Sequence, residues 1–136
     1  MVEKIFEADK NELDNVLAFS EEQLENAGCN AKEIMPITVA VEEIFVNIAN
    51  YAYREKGGKV SFSIDYEKEK NEIIFIFSDS GIPFDPTAKP DPDITLSAEE
   101  RQIGGLGIFM CKMIMDKVSY QRNDNKNILT MSKILK

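Results

Sequence analysis

Histidine and tryptophan are both absent from the 136 residues of this chain. Without histidine there is no Ser/His or Cys/His dyad, no His-ligated zinc and no phosphohistidine acceptor, so proton transfer must use carboxylates, Lys, Tyr or Cys. The two cysteines, Cys29 and Cys111, form no CxxC motif, and the N-terminus has no signal-peptide pattern. We therefore expect reduced thiols and a cytoplasmic location. No apolar run approaches the roughly 20 residues of a membrane span, so no membrane association is expected.

Basic residues are fewer than acidic residues. The chain has 16 basic and 24 acidic residues and a net charge of −8, which disfavours direct binding to nucleic acid. Residues 104–136 differ from the rest, with 6 basic and 2 acidic residues. An anionic ligand would be least repelled there.

Glycine and proline are few, at 7 and 5, and hydrophobic residues make up 43% of the chain. This composition is typical of a globular protein. A chain of this length forms one core that buries about two-thirds of its unfolded surface, but not two such cores. We expect a single domain over residues 1–136.

Hydrophobic periodicity predicts three helices and five strands. The helices are expected from Asp9 or Asn11 to about Ala27, from Lys32 or Pro36 to Tyr53, and from about Gly104 to Asp116. The strands are expected over residues 2–8, 60–66, 73–77, 118–122 and 128–135, with turns at 67–71 and 123–127. Residues 80–103, between the third predicted strand and the third predicted helix, hold four of the five prolines and predict a long functional loop or lid.

The order of these elements favours the α+β class. We predict a two-layer α/β sandwich, in which a mixed, mostly antiparallel sheet is covered on one face by about three helices. The run at 73–77 is apolar on both faces, so this strand is expected in the centre of the sheet.

The long helix carries the first candidate site, a polar stripe of Glu43, Asn47, Asn50 and Arg54 at spacings of 4, 3 and 4. A solvated helix face is one interpretation of this stripe. The alternative is a ligand site, because a carboxylate and an amide one turn apart supply the oxygen ligands that Mg²⁺ prefers.

Two further candidates lie at the ends of predicted elements. Asp79 and Gly81 follow the central strand, where they form either a simple turn or an acceptor for a ligand amine. Residues 104–107 (GGLG) open the third helix, either as a flexible hinge or as backbone N–H groups that bind a phosphate. The latter segment is neither a dinucleotide fingerprint nor a P-loop.

In order and spacing, these segments resemble the nucleotide-binding boxes of the GHKL ATPase superfamily, which shares the Bergerat ATP-binding fold. Residues 43–47 (EIFVN) are similar to the N box ExxxN, and residues 79–86 (DSGIPFDP) to the first glycine box DxGxxFDP. Residues 104–107 are similar to the second glycine box. The resemblance covers nearly the whole chain and is strongest to anti-sigma-factor serine/threonine protein kinases of the RsbW type.

The resemblance implies roles for individual residues. Glu43 would be the general base, Asn47 would hold the Mg²⁺ that bridges the ATP phosphates, and Asp79 would bind the adenine amino group. The other residues implied at the nucleotide are Asn50, Gly81, Phe84, Arg101, Gly104, Gly105, Leu106 and Gly107. Phosphoryl transfer that uses a carboxylate and Mg²⁺ suits a chain without histidine.

The resemblance also implies an activity and partners. The chain would be an ATP-dependent serine/threonine kinase that phosphorylates a STAS-type anti-sigma antagonist and sequesters a sigma factor, and a homodimer is compatible with it. The alternative function is a non-catalytic switch that binds ATP and a partner protein.

Overall fold

A five-stranded sheet is the scaffold of the molecule. The computed structural model describes residues 1–53, 57–88 and 105–135. The strands are β1 (Val2–Glu7), β2 (Lys59–Glu67), β3 (Glu72–Asp79), β4 (Lys117–Asn123) and β5 (Lys126–Ile134). Their order in the sheet is β1-β2-β3-β5-β4, and all four pairings are antiparallel. The described part of the chain therefore has the mostly antiparallel sheet that the sequence predicts.

Three helices accompany the sheet: α1 (Leu13–Asn26), α2 (Ala31–Tyr51) and α3 (Gly105–Ile114). Single 3-10 turns at Lys10–Glu12 and Pro86–Ala88 complete the described elements. The predicted α+β class is confirmed.

Helix α2 begins earlier than the sequence analysis predicts because it has a capping box. The Asn30 side chain accepts a hydrogen bond from the Glu33 backbone N–H at 3.0 Å, and the Glu33 carboxylate accepts one from the Asn30 N–H at 3.2 Å. The helix therefore starts at Ala31 and continues through Pro36. The prediction of a start at Lys32 or Pro36 was late by one to five residues.

Strand β3 shows that the helices pack on one face of the sheet. Ile73, Phe75 and Phe77 point to that face and are buried, whereas Ile74 and Ile76 on the other face are half-buried. The predicted central position of this strand is confirmed. Among the described residues no layer covers the second face, in keeping with the predicted sheet that is covered by helices on one face only.

Candidate active site

Helix α2 places Glu43 and Asn47 at the edge of its apolar face. Ile44 and Phe45 point into the core and are buried, whereas Glu43 and Asn47, one turn apart, are half-buried. Asn47 also lines a small cavity between the helix and the sheet, and Asp79 lines the same cavity. The structure thus brings together the polar stripe of the helix and the end of the central strand.

The first turn of α3 lies directly against Glu43. A Cβ atom placed on Gly107 would overlap Oε2 of Glu43 and would lie 2.9 Å from its Cδ. Helix α3 is held in this position by Ile108 and Cys111, both buried, and the Cys111 thiol donates to the Ala40 carbonyl at 3.5 Å. Only a glycine at position 107 leaves room for the Glu43 carboxylate, so the polar stripe and the glycine-rich segment meet here.

The surroundings of Glu43 shift its protonation. Burial raises the pKa of the Glu43 carboxyl above its ordinary value, and the negative charge of Glu42 raises it further. A higher pKa makes the ionised carboxylate a stronger proton acceptor, as a general base requires. Burial, followed by the charge of Glu43, also raises the pKa of the Cys111 thiol to about 12. Cys111 is therefore a protonated core residue and not a nucleophile.

Asp79 is buried, with 5% of its surface exposed, and is held by a polar network. Its Oδ1 accepts hydrogen bonds from the Gly81 backbone N–H and from the Asn127 side-chain amide, both at 2.9 Å. The Asn127 oxygen in turn accepts from Tyr120 Oη at 2.5 Å and from Arg122 Nη1 at 3.1 Å. Among the described residues, Oδ2 of Asp79 has no hydrogen-bond partner. One carboxylate oxygen is thus fixed by the protein and the other is left to accept a hydrogen bond from a ligand.

The sequence analysis missed Tyr120, Arg122 and Asn127. It assigned Asn127 to a five-residue turn, whereas β5 begins at Lys126 and only Asp124 and Asn125 lie between the two strands. Both of these residues have positive φ, 52° and 63°, which Asp and Asn tolerate better than most residues. A two-residue Asp-Asn turn was the available signal, because it fixes which residues of β4 and β5 face each other.

The cavity between α2 and the sheet is small. Its volume is about 30 Å³. Its walls are mostly apolar and come from helix, sheet and the turn after β3, and its lining residues include Ile44, Ile48, Phe77, Phe84, Pro86 and Leu129. Phe84 also packs against Tyr51, with ring centroids 5.5 Å apart. The aromatic pair therefore lies at the wall of the cavity nearest the end of α2.

Gly81 is required by a close approach of helix and turn. A Cβ atom on Gly81 would overlap the carbonyl oxygen of Ala52 and would lie 2.7 Å from the Ala52 Cβ. The N–H of Ile82 donates to that same carbonyl at 2.8 Å. The turn after β3 is thereby attached to the C-terminal end of α2.

Asn50 lies apart from the cavity. Its side chain is exposed and faces a separate depression of about 430 Å³ that it shares with Asp9, Lys10 and Gly58. The helical spacing of the polar stripe is as predicted, but in the described structure Asn50 is not brought together with Asp79. Arg54, the fourth member of the stripe, lies outside the described residues.

The glycine-rich segment is described only in part. Gly105 is the first residue of α3, and Leu106 and Gly107 belong to its first turn. Gly104, Arg101 and most of the predicted loop, from residue 89 on, fall outside the described ranges. The described portion of that loop, residues 80–88, contains the turn that carries Phe84.

The donor set suits Mg²⁺ in chemistry. Asn47 and Glu43 offer an amide and a carboxylate oxygen one helical turn apart, and Mg²⁺ is commonly held by one or two such groups together with substrate phosphates. Within residues 1–53, 57–88 and 105–135, no group of three or more His, Cys, Asp or Glu forms a complete metal cage. These residues therefore fit a metal that is bound together with a phosphate ligand.

Comparison with known proteins agrees with this arrangement. The histidine kinase-like ATPase domain family matches residues 6–133. The serine-protein kinase RsbW of Halalkalibacterium halodurans is 32% identical over 112 residues, which cover 79% of this chain and 67% of that protein. The serine/threonine-protein kinase BtrW of Bordetella bronchiseptica is 28% identical over 96 residues, which cover 71% and 67% of the two chains.

Solved structures share the fold. A Mycobacterium tuberculosis structure that contains RsbU and RsbW domains matches with a TM-score of 0.63 and 15% identity. The match covers 98% of this chain and 32% of that one. The histidine kinase domain of a blue-light activated kinase from Erythrobacter litoralis matches with a TM-score of 0.57, also at 15% identity, over 90% and 61% of the two chains.

No described helix has the length and apolarity needed to cross a bilayer. The match over residues 6–133 includes strands β2 to β4, nearly all of β5, the three helices and every described residue of the site. The chain belongs to the histidine kinase-like ATPase domain family, of the GHKL type, and among its relatives are the RsbW serine-protein kinases.

Proposed function

We propose that residues 1–136 form a single ATP-binding kinase domain that phosphorylates a Ser or Thr of a STAS-type anti-sigma antagonist and that sequesters a sigma factor. The observation that carries the proposal is the contact between Glu43 and Gly107. It sets a carboxylate of raised pKa at the N-terminal end of a helix, where the backbone N–H groups favour a phosphate. Transcription regulation by this route and a cytoplasmic location are part of the proposal.

The adenine base would be bound at the sheet end of the site. Asp79 offers its Oδ2 to the amino group of adenine, and the apolar walls around Phe77 and Leu129 suit a purine ring. Phe84 and Gly81 border this part of the site on the side of the turn after β3. The two halves of ATP would thus lie against different elements, the base on β3 and the phosphates near α3.

The transfer step would use the chain's own carboxylate. The Ser or Thr hydroxyl oxygen forms a bond to the γ-phosphorus, the bond to the oxygen that bridges the β- and γ-phosphates breaks, and ADP leaves. Glu43 takes the hydroxyl proton. Mg²⁺, when bound with ATP, neutralises charge on the phosphates, and Asn47 would hold it.

Single-turnover phosphorylation of a STAS partner at saturating ATP and Mg²⁺ tests the proposal. Glu43→Gln keeps the side-chain volume, so ATP should bind nearly as it does to the parent, whereas transfer should slow by about 10²–10⁴-fold. Glu42→Gln is the matched control at a pH well above the raised pKa of Glu43, where Glu43 is ionised with or without the charge of Glu42 and transfer should match the parent. Equal rates for the parent and Glu43→Gln would contradict the role of Glu43 as the base.

Binding measurements distinguish a kinase from a non-catalytic switch that binds ATP and a partner protein. Asp79→Asn should weaken ATP binding by about tenfold to a hundredfold, because the amide is a poorer acceptor for the adenine amine and leaves a buried group unpaired. Asn47→Ala should weaken only the binding that depends on Mg²⁺. Tight ATP binding by the parent with no transfer to any partner would favour the non-catalytic switch.

We also propose a homodimer, supported by the uncovered face of the sheet. Ile5 on β1 is 60% exposed, and Ile74, Ile76 and Ile128 on the central strands are half-buried on the same face. Ser61 and Ser63 of β2 lie between Ile5 and the isoleucines of β3, so the face presents separate apolar patches in a polar surround, and an uncovered, partly apolar face of this kind suits an interaction surface. Light scattering of the parent and of Ile76→Glu should show a dimer and a monomer, respectively; a parent that remains a monomer at high concentration would refute this part.

A further inference from the structure

The buried polar network beside Asp79 follows a single row across three strands. Asp79 on β3 is paired with Asn127 on β5, and Asn127 is paired with Arg122 on β4. Because paired residues of antiparallel strands share a face, the three side chains lie side by side. The network is therefore built into the register of the sheet.

Its hydrogen bonds fix the orientation of the Asn127 amide. The amide nitrogen donates to Asp79 Oδ1 at 2.9 Å and to the Ile82 carbonyl at 2.7 Å, and both of these groups can only accept. The amide oxygen faces Arg122, which can only donate. Reversing the amide would place acceptor against acceptor and donor against donor, so only one orientation is satisfied.

Arg122 holds two parts of this network at once. Its Nη1 donates to the Asn127 oxygen at 3.1 Å and to the carbonyl oxygen of Gly81 at 2.8 Å. Gly81 is the residue whose N–H donates to Asp79 Oδ1. Arg122 thus fixes both donors that orient the Asp79 carboxylate, although it does not itself bond to Asp79.

We propose that Arg122 is a positioning residue for the nucleotide base. It acts through Asn127 and Gly81 to aim Oδ2 of Asp79 at the amino group of adenine, and so it sets the preference for a 6-amino over a 6-oxo purine. The inference rests on the proposed function, in which Asp79 binds adenine. The Arg122 side chain is half-buried, and its Nη1 already donates to two oxygens at the base end of the site, which argues against a direct role at the phosphates.

The test compares Arg122→Met, which keeps an apolar stem but removes both hydrogen bonds, with Lys126→Met. Lys126 belongs to the same hairpin and is exposed, so its variant removes the same charge without touching the network. Calorimetric titration with adenosine, ADP, ATP and inosine triphosphate gives the affinities. Thermal unfolding without ligand confirms that each variant is folded.

Arg122→Met should weaken the binding of adenosine, ADP and ATP by the same factor, about tenfold. The reason is that the Gly81 carbonyl loses its donor and the Asp79 carboxylate loses its fixed orientation. The preference for ATP over inosine triphosphate should fall. Lys126→Met should bind all four ligands as the parent does. Arg122→Lys should lose less affinity than Arg122→Met, because its ammonium can still donate a hydrogen bond, but it should bind more weakly than the parent, because it reaches fewer acceptors than the guanidinium.

Two results would overturn the inference. A loss that grows from adenosine to ADP to ATP would show that the charge acts on the phosphates, and an unchanged preference between ATP and inosine triphosphate would show that Arg122 does not orient Asp79. If Arg122→Met does not fold, Arg122→Lys carries the test, and parent-like binding of all four ligands by that variant refutes the role. Failure of the parent to bind any adenine nucleotide would instead overturn the proposed function.

Discussion

Gly107→Ala is the substitution for which the structure makes the sharpest prediction. The three heavy atoms nearest to the added methyl group all belong to the Glu43 side chain. The Glu43 Cδ would have to retreat from 2.9 Å to at least 3.4 Å, where ordinary contact begins, and the overlapping Oε2 would have to move further. The end of a flexible side chain can make this movement, so we expect the protein to fold with Glu43 displaced.

The expected magnitudes differ for stability and catalysis. Alanine is favoured over glycine in a helix by up to about 1 kcal/mol, which offsets the cost of moving Glu43, so the free energy of unfolding should change by less than about 1 kcal/mol. A displacement of about 1 Å at a reacting group can cost about 10²-fold in rate. Phosphoryl transfer at saturating ATP should therefore fall by about that factor while the fold is retained.

A double-mutant cycle with Glu43→Ala isolates the contact. Once the carboxylate is gone, Gly107→Ala should stabilise the protein by its full helix-propensity gain and should have no further effect on the residual transfer rate. Chemical denaturation gives the stability arm, which does not depend on any assumed activity. The reasoning fails if Gly107→Ala changes stability equally with and without Glu43, or if transfer by the single variant equals that of the parent.

Three other consequences can be checked separately. The rate of phosphoryl transfer should rise with pH as Glu43 ionises, and Glu42→Gln should move this rise to lower pH because one cause of the raised Glu43 pKa is removed. The raised pKa also means that the folded protein loses stability as pH rises and Glu43 ionises. Glu43→Gln should therefore unfold at a higher temperature than the parent at pH 7. Thiol reagents at pH 8 should modify Cys111 only in denaturant, since burial raises its pKa to about 12; rapid native labelling would contradict its burial. Gly81→Ala should lower the free energy of unfolding by about 1–3 kcal/mol and weaken ATP binding, because its methyl group meets the Ala52 backbone rather than a movable side chain; parent-like stability would show that the turn is not fixed.

The fold was largely predictable because its signals are local. Alternation of apolar residues over 60–66 and helical spacing around α2 depend only on which side chains face the core. The errors arose where hydrogen bonds overrule that pattern. The capping pair Asn30 and Glu33 sets the start of α2 before its apolar stripe begins. The turn at Asp124 and Asn125 likewise starts β5 at Lys126, inside the predicted five-residue turn.

The site was predictable only as separate segments. Spacing along the chain picks out Glu43, Asn47, Asp79 and the glycines, but it carries no information on which of them meet. The contact of Glu43 with Gly107 follows from how α3 lies against α2, and the network around Asp79 follows from the register of β4 and β5. That register is set by the turn at Asp124 and Asn125, so one error in turn length concealed Asn127 and its neighbours.

The walls of the cavity constrain how a nucleotide can bind. The turn after β3 forms part of the cavity wall through Phe84 and Pro86, so the position of this turn decides how much room a purine has beside Asp79. The sheet wall is fixed by strand pairing, and hydrogen bonds attach the turn after β3 to it and to α2. Arg122 donates to the Gly81 carbonyl, the Ile82 N–H donates to Ala52, and Asn127 bonds to both Ile82 and Phe84. Opening that turn would strain the same hydrogen bonds that orient Asp79. The free energy of ATP binding would then be the favourable free energy of the contacts with the base less the free energy needed to move the turn. Because Asp79, Gly81 and Ile82 share these hydrogen bonds, a movement of the turn after β3 and a change in the orientation of the Asp79 carboxylate would occur together.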